Sequence, residues 1–209
     1  MPKKVDLSFE VSLIGPAASK LPLPTMRIDL MKSAKTKVPP DYVQNIDREI
    51  QFLWQYCPVS SELEFVDLVL RYLFSESRIS LSGKHPFNKV TIQTAQRAYP
   101  IDRFRFKMEI EKTRFGQVDC LLVNESFGVY RLRIASGFRI PPHYHNIMEE
   151  KEIILTDGLS LDGNKVASGT VKVWPRKVTH GYENNTTEEQ SILCIDKPAF
   201  DASDEVLVT

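Results

Sequence analysis

Four histidines occur in the chain, and three of them, His143, His145 and His180, fall within 38 positions. His143 and His145 stand two apart, so on a β-strand they project from one face. Two imidazoles on one face can bind one ion, at roughly 2.0–2.2 Å from each nitrogen. Acidic residues follow closely at Glu149, Glu150 and Glu152. A carboxylate added to two imidazoles makes a nitrogen–oxygen donor set suited to Fe, Mn, Ni, Zn or Cu. His180 comes later and can close the site from a facing strand. Three or four protein ligands leave one or two coordination positions open for a small molecule.

The elements that would position these groups are strands. From residue 113 onward no helical periodicity is evident, and turn signals recur at Asn124-Glu125-Ser126, Gly137, Asp157-Gly158, Asp162-Gly163-Asn164 and Asn184-Asn185. Val118–Val123 and Val129–Ala135 read as strands. Many short strands at regular spacing predict a sandwich or a barrel. The tail from Asp201 is acidic and is expected to be loosely held.

Two segments resemble the paired motifs of the cupin superfamily. In Gly137-Phe138-Arg139-Ile140-Pro141-Pro142-His143-Tyr144-His145, a glycine and five residues precede His-x-His. In the second, Gly169 leads to Pro175, four residues separate Pro175 from His180, and Asn184 follows after three more. The resemblance covers residues 113–209 and implies a double-stranded β-helix barrel with one divalent transition metal on His143, His145, a glutamate and His180. It implies a Glu three or four residues after His145, which gives Glu149 or Glu150. The distance to Gly158 is longer than the motif's, which favours Glu152 instead; the order of candidates is Glu149, Glu150, Glu152. The motif's usual glycine two after the proline is Lys177 here. Along the strands, Arg139 shares the parity of His143 and His145, and Tyr182 that of His180, so both are candidate substrate contacts inside the barrel.

The first half reads differently. Val5, Leu7, Phe9, Val11 and Leu13 alternate as a strand, and Met26, Ile28 and Leu30 as a second. Pro39-Pro40-Asp41 opens a helix with apolar residues from Val43 to Cys57, ended by Pro58. Ser61 and Glu64 have capping-box spacing for a second helix whose apolar face includes Leu63, Val66, Leu70 and Leu73. Val90 and Ile92 mark a third strand, and Phe104, Phe106, Met108 and Ile110 a fourth. The order β-β-α-α-β-β over residues 1–112 resembles the tunnelling fold (T-fold) of the dihydroneopterin aldolase and GTP cyclohydrolase group. That resemblance implies a homo-oligomer, since T-fold sites form between subunits. The aldolases' lysine before a proline is replaced by Tyr99 before Pro100, with Arg97 nearby. Their pterin-anchoring glutamate in the second helix would fall near Glu64 or Asp67.

Composition bounds the rest. Hydrophobic residues at 42% and charged residues at 26% permit a buried core in each half. Net charge is zero, which removes the bulk electrostatic case for nucleic acid or an acidic membrane. The charge is split, with a balance of +4 over residues 1–112 and −4 over 113–209, which fits two units with different surfaces. Cys57, Cys120 and Cys194 lie apart without metal-type spacing and are expected to be buried thiols. No stretch approaches the ~20 apolar residues of a membrane span, and no signal peptide opens the chain, so the expected location is the cytoplasm. The reading is an α+β unit followed by a cupin barrel. Its expected activity is that of a metal-dependent enzyme of dioxygenase, isomerase or decarboxylase type. The alternatives are a non-catalytic binding or sensing module, and pterin- or purine-related activity or an assembly role in the N-terminal half.

Overall fold

The computed structural model describes residues 7–14, 21, 23, 25–32, 41–76, 87–95, 97–102 and 109–208. The chain divides into two compact units, Met1–Lys107 and Met108–Thr209. No helix among the described residues is long and apolar enough to cross a membrane.

The N-terminal unit has the expected element order. Strands β1 (Leu7–Ser12) and β2 (Thr25–Lys32) precede helices α1 (Tyr42–Tyr56) and α2 (Glu62–Glu76), followed by β3 (Phe87–Gln93) and β4 (Ala98–Asp102). The sheet runs β1-β2-β3-β4, every pair antiparallel. Alternation puts Val11, Met26, Ile28, Leu30 and Ile92 on one buried face. Helix α1 is tied to the end of β1 by Gln51: its Oε1 accepts from the Ile14 N–H and its Nε2 donates to the Ser12 carbonyl. The helices meet through Trp54 edge-on to Phe65 at 5.2 Å, and through Tyr72 donating to the buried Glu49 carboxylate.

Three expectations change. Leu63, assigned to the apolar face of α2, is 61% exposed. It sits in the first turn, where capping rather than periodicity sets the backbone: the Glu64 N–H donates to Ser61 Oγ at 3.2 Å, and Glu64 Oε2 accepts from Ser60 N at 2.7 Å. Glu64 is therefore committed to the helix start, and Asp67 to Arg71 one turn on at 2.7 Å. The acid that reaches Tyr99 is Glu62, which accepts from Tyr99 OH at 2.7 Å and Thr94 Oγ1 at 2.8 Å. Finally, the fourth strand is Ala98–Asp102. Of the stretch expected to form it, Phe104, Phe106 and Met108 lie outside the described residues, and Ile110 belongs to β5 (Glu109–Lys112), which pairs with β6 (Gly116–Val123). Strand alternation continues across a unit boundary and so does not mark it; the break falls five residues earlier than the expected 112/113.

The C-terminal unit is all β among the described residues, in two antiparallel sheets. Its strands are β6 (Gly116–Val123), β7 (Gly128–Ile134), β8 (Arg139–His145), β9 (Glu149–Ile154), β10 (Leu159–Leu161), β11 (Asn164–Val166), β12 (Val171–Trp174), β13 (His180–Asn184), β14 (Gln190–Lys197) and β15 (Glu205–Leu207). One sheet has the order β11-β10-β13-β8-β15, the other β12-β9-β14-β7-β6-β5. Between them Ile134, Ile140, Ile154, Leu159, Tyr182 and Ile192 form a core against which Phe115, Leu132 and Trp174 pack. The interior changes along the strands. On β9 the inward residues run Glu150, Glu152, Ile154, and their partners on β14 run Asp196, Cys194, Ile192. One end of the interior is thus aliphatic and the other acidic.

The tail is held, contrary to expectation. β15 pairs with β8, the Val208 N–H donates to the Pro142 carbonyl at 2.9 Å, and Asp204 is buried. Edge pairing outweighs the acidic composition that suggested looseness. Asn184, the last residue of the second motif, is a turn brace: its Nδ2 donates to the Ile134 and Glu188 carbonyls and its Oδ1 accepts from Thr186.

At the motif's glycine position, Lys177 adopts φ of 63°, and its N–H donates to the His145 carbonyl at 2.7 Å. The turn is the one a glycine would make, bearing a side chain that disfavours it. Lys177→Gly is expected to stabilise the chain by about 0.5–1 kcal/mol, the left-handed strain relieved less the added freedom of the unfolded chain. A thermal melt that fails to rise would count against this.

Candidate metal centre

The three histidines come together on the five-stranded sheet. His180 of β13 is directly opposite His143 of β8, and His145 lies two residues further along the same strand. All three are buried. Ring centroids are 4.4 Å apart for His143 and His180, and 5.1 Å for His143 and His145. Backbone carbonyls orient two of them. His143 Nδ1 lies 2.9 Å from the Pro141 oxygen, and His180 Nδ1 lies 3.1 Å from the Val178 oxygen. A carbonyl only accepts, so each Nδ1 carries a proton, and in the neutral ring Nε2 is left to present its lone pair.

The acid that meets these histidines from the other sheet is Glu150. Its Oε2 lies 2.6 Å from His180 Nε2 and 3.5 Å from His145 Nε2. One ligand atom each from His143, Glu150 and His180 falls within 4.8 Å of the others. Glu149, first among the three candidates, is on the opposite face of β9, with Arg176 at 3.8 Å and nearly half its side chain exposed. Strand alternation admits positions 150 and 152 together or 149 alone, and the inward run that ends at Ile154 selects the former. Glu152 points inward but is engaged: its Oε2 accepts from Trp174 Nε1 and from Tyr182 OH, the latter at 2.6 Å.

Arg139 departs from the expectation. The pairing shifts by one residue between His180 and Tyr182, so Tyr182 faces Ile140, and Arg139 faces Glu183. The extra residue in the Pro141-Pro142 stretch is a bulge that reverses parity upstream of the histidines. Arg139 is exposed, while Ile140 and Tyr182 share the core. Tyr182 does point inward, but its hydroxyl is spent on Glu152.

The acidic end has consistent electrostatics. For Glu150, burial opposes ionisation, yet the contact with His180 and the charges of His145 and His143 hold its carboxyl below the usual range. His180 is raised: burial works against its charge, and Glu150 outweighs it. His145 is lowered, chiefly by burial. Glu152 is pushed up to about 7 by burial and by Glu150. Burial and Glu150 also raise Asp196, to which Cys194 Sγ donates at 2.7 Å. Trp174 stacks on His180, with ring planes 8° apart and centroids at 4.7 Å.

Buried donor and acceptor atoms here, His145 Nε2, His180 Nε2 and Glu150 Oε2 among them, have no hydrogen-bond partner among the described residues. His180 Nε2 and Glu150 Oε2 meet each other as a close charged contact at 2.6 Å. Buried polar atoms are ordinarily satisfied, and a cation among them would satisfy all three at once. The donor set of three imidazoles and one carboxylate fits a first-row divalent metal.

Sequence reasoning missed two residues of this region, both on β15 or just before it. Glu205 faces His145 across the ladder, and its Oε1 lies 4.0 Å from His143 Nε2. Asp204 Oδ2 lies 3.8 Å from His145 Nδ1. The only signal was the short alternation Glu205-Val206-Leu207-Val208 at the end of the chain.

No protein-family model matches the chain, and no curated protein matches it. Solved structures do, over about half its length. KdgF from Halomonas sp. is 15% identical, with 48% of this chain and 94% of that one covered and a TM-score of 0.40. The polyketide cyclase RemF from Streptomyces resistomycificus is 17% identical, with 52% and 84% covered and a TM-score of 0.43. A conserved protein with a double-stranded β-helix domain from Klebsiella pneumoniae is 15% identical, with 48% and 80% covered and a TM-score of 0.38. Each of these likenesses spans about half of the chain, and the C-terminal unit is itself built of two antiparallel sheets.

Proposed function

We propose that His143, His145, Glu150 and His180 hold one divalent transition metal, and that the protein acts on a small molecule at that centre. The observation that carries this reading is the convergence of buried donor and acceptor atoms that find no hydrogen-bond partner among the described residues. When bound, the ion would supply Lewis acidity or a redox centre. The chain's own groups do the rest. The Pro141 and Val178 carbonyls hold His143 and His180 with Nε2 presented. Glu150 supplies negative charge from the facing sheet, and Trp174 covers the ring of His180. Tyr182 and Trp174 fix Glu152 beside the centre. Reactions of dioxygenase, isomerase or decarboxylase type all suit such a site. The N-terminal unit, a sequential antiparallel sheet with both helices between β2 and β3, is read as a T-fold-like assembly unit of a homo-oligomer.

Metal analysis of the purified full chain tests the central claim. About one equivalent of a transition metal per chain is expected, lost in His143→Ala. Less than ~0.2 equivalent after purification without chelators would overturn the reading.

A further inference from the structure

The loop between His145 and Glu149 is the link that carries the chain from the histidine-bearing sheet to the glutamate-bearing one. Its three residues, Asn146, Ile147 and Met148, all direct their backbone N–H groups at one side chain. Asp204 Oδ1 accepts from Asn146 N at 3.1 Å and Ile147 N at 3.0 Å; Oδ2 accepts from Ile147 N at 3.1 Å and Met148 N at 2.9 Å. Asp204 is 8% exposed. It is fixed in turn by its own surroundings: its N–H donates to the Asp201 carbonyl at 3.0 Å, and β15 begins at the next residue and pairs with β8 beside both histidines. Phe200, at the start of the same segment, stands edge-on to His145 with centroids 6.1 Å apart.

We propose that Asp204 is a positioning residue for the metal centre, setting the reach between His145 and Glu150 through the loop that joins them. This rests on the metal-binding reading above. Three successive N–H groups bonded to one carboxylate are charge-assisted and leave the loop one conformation. That conformation places Glu150 Oε2 at 3.5 Å from His145 Nε2, across the gap between two sheets. Without the carboxylate the three donors must seek other partners, and the spacing of the two ligands is no longer dictated. The C-terminal segment thereby becomes part of the site, although it holds none of the four ligands.

The test is Co²⁺ and Zn²⁺ titration of metal-free full-length protein, with the visible Co²⁺ spectrum as the structural readout. Asp204→Ala is expected to weaken binding about 10–100-fold and to alter the Co²⁺ bands. Asp204→Asn keeps one accepting oxygen and should fall between Asp204→Ala and the wild type. Asp157→Ala is the matched control. It removes a carboxylate that accepts a backbone N–H, from Ser168 at 2.7 Å, in the turn that follows the end of β9 opposite the ligand loop. It should lower thermal stability while leaving affinity and spectrum unchanged. Binding by Asp204→Ala within twofold of wild type, with the same spectrum, overturns the proposal and leaves the metal reading standing. Equal losses in Asp204→Ala and Asp157→Ala overturn it too, since they would reflect general destabilisation. If Asp204→Ala does not fold, Asp204→Asn decides, and wild-type affinity there overturns the proposal. A wild-type chain that binds neither ion removes the metal reading and this inference together.

Discussion

Glu150→Ala is expected to lower transition-metal affinity by at least about 100-fold, because loss of a direct ligand should cost no less than the 10–100-fold typical of supporting residues. Glu149→Ala should bind within twofold of wild type, since its side chain lies on the outer face of β9 beside Arg176. The two substitutions are adjacent, remove the same group and differ only in the side of the strand, so their contrast isolates the site from general effects. The pH dependence gives a second handle. Protons and the ion compete for the same Nε2 lone pairs, so affinity must fall as pH drops through the imidazole range. Glu150 raises His180, so removing it lowers the pH at which proton competition at His180 sets in. The affinity of Glu150→Ala should therefore be weak but less sensitive to acidification. Competition titrations between pH 5.5 and 8 measure both. Retention of metal by Glu150→Ala and its loss in Glu149→Ala would assign the wrong face of β9 to the interior.

Arg133→Ala should destabilise the protein by about 3–5 kcal/mol, the usual cost of breaking a buried ion pair from one side. Arg133 Nε lies 2.8 Å from Asp119 Oδ2, with side-chain exposures of 4% and 0%. Asp119 also accepts from Gln117 Nε2 at 2.6 Å, so the carboxylate is built in and cannot reach water. Arg133 NH1 makes a second pair, with Glu189 at 3.0 Å, but that carboxylate is 47% exposed. Glu189→Ala should accordingly cost less than about 1 kcal/mol. Urea unfolding compares the two. Similar midpoints would mean that Asp119 does not depend on Arg133.

Much of the site was legible because histidine and glycine spacings are local. The pairing of His143 with His180 follows from two motifs that each fit on a single turn and strand. What escaped was set by register. The choice among three neighbouring glutamates depends on which face of β9 is inside, and the motif's distance to Gly158 carries no information about faces. Parity failed for Arg139 because a bulge at Pro141-Pro142 inserts one residue between it and the histidines. Asp204 and Glu205 escaped because they reach the site through strand pairing with β8, at a separation of about sixty residues. The N-terminal element order was readable from periodicity, with Val11, Ile28 and Ile92 on one buried face. The unit boundary was not, because Phe104, Phe106, Met108 and Ile110 alternate across it in the sequence.

The division of the proposed ligands between sheets has a mechanical consequence. His143, His145 and His180 sit on hydrogen-bonded neighbours β8 and β13, whereas Glu150 sits on β9 of the other sheet. Ladder bonds hold the imidazoles at fixed spacing, as the rigid half of a clamp. Glu150 is the other jaw, and its distance from them changes whenever the two sheets slide or part. A parting of the two sheets would thus loosen one proposed ligand and spare three, so the grip on an ion would be tunable from packing residues between the sheets such as Ile154 and Ile192.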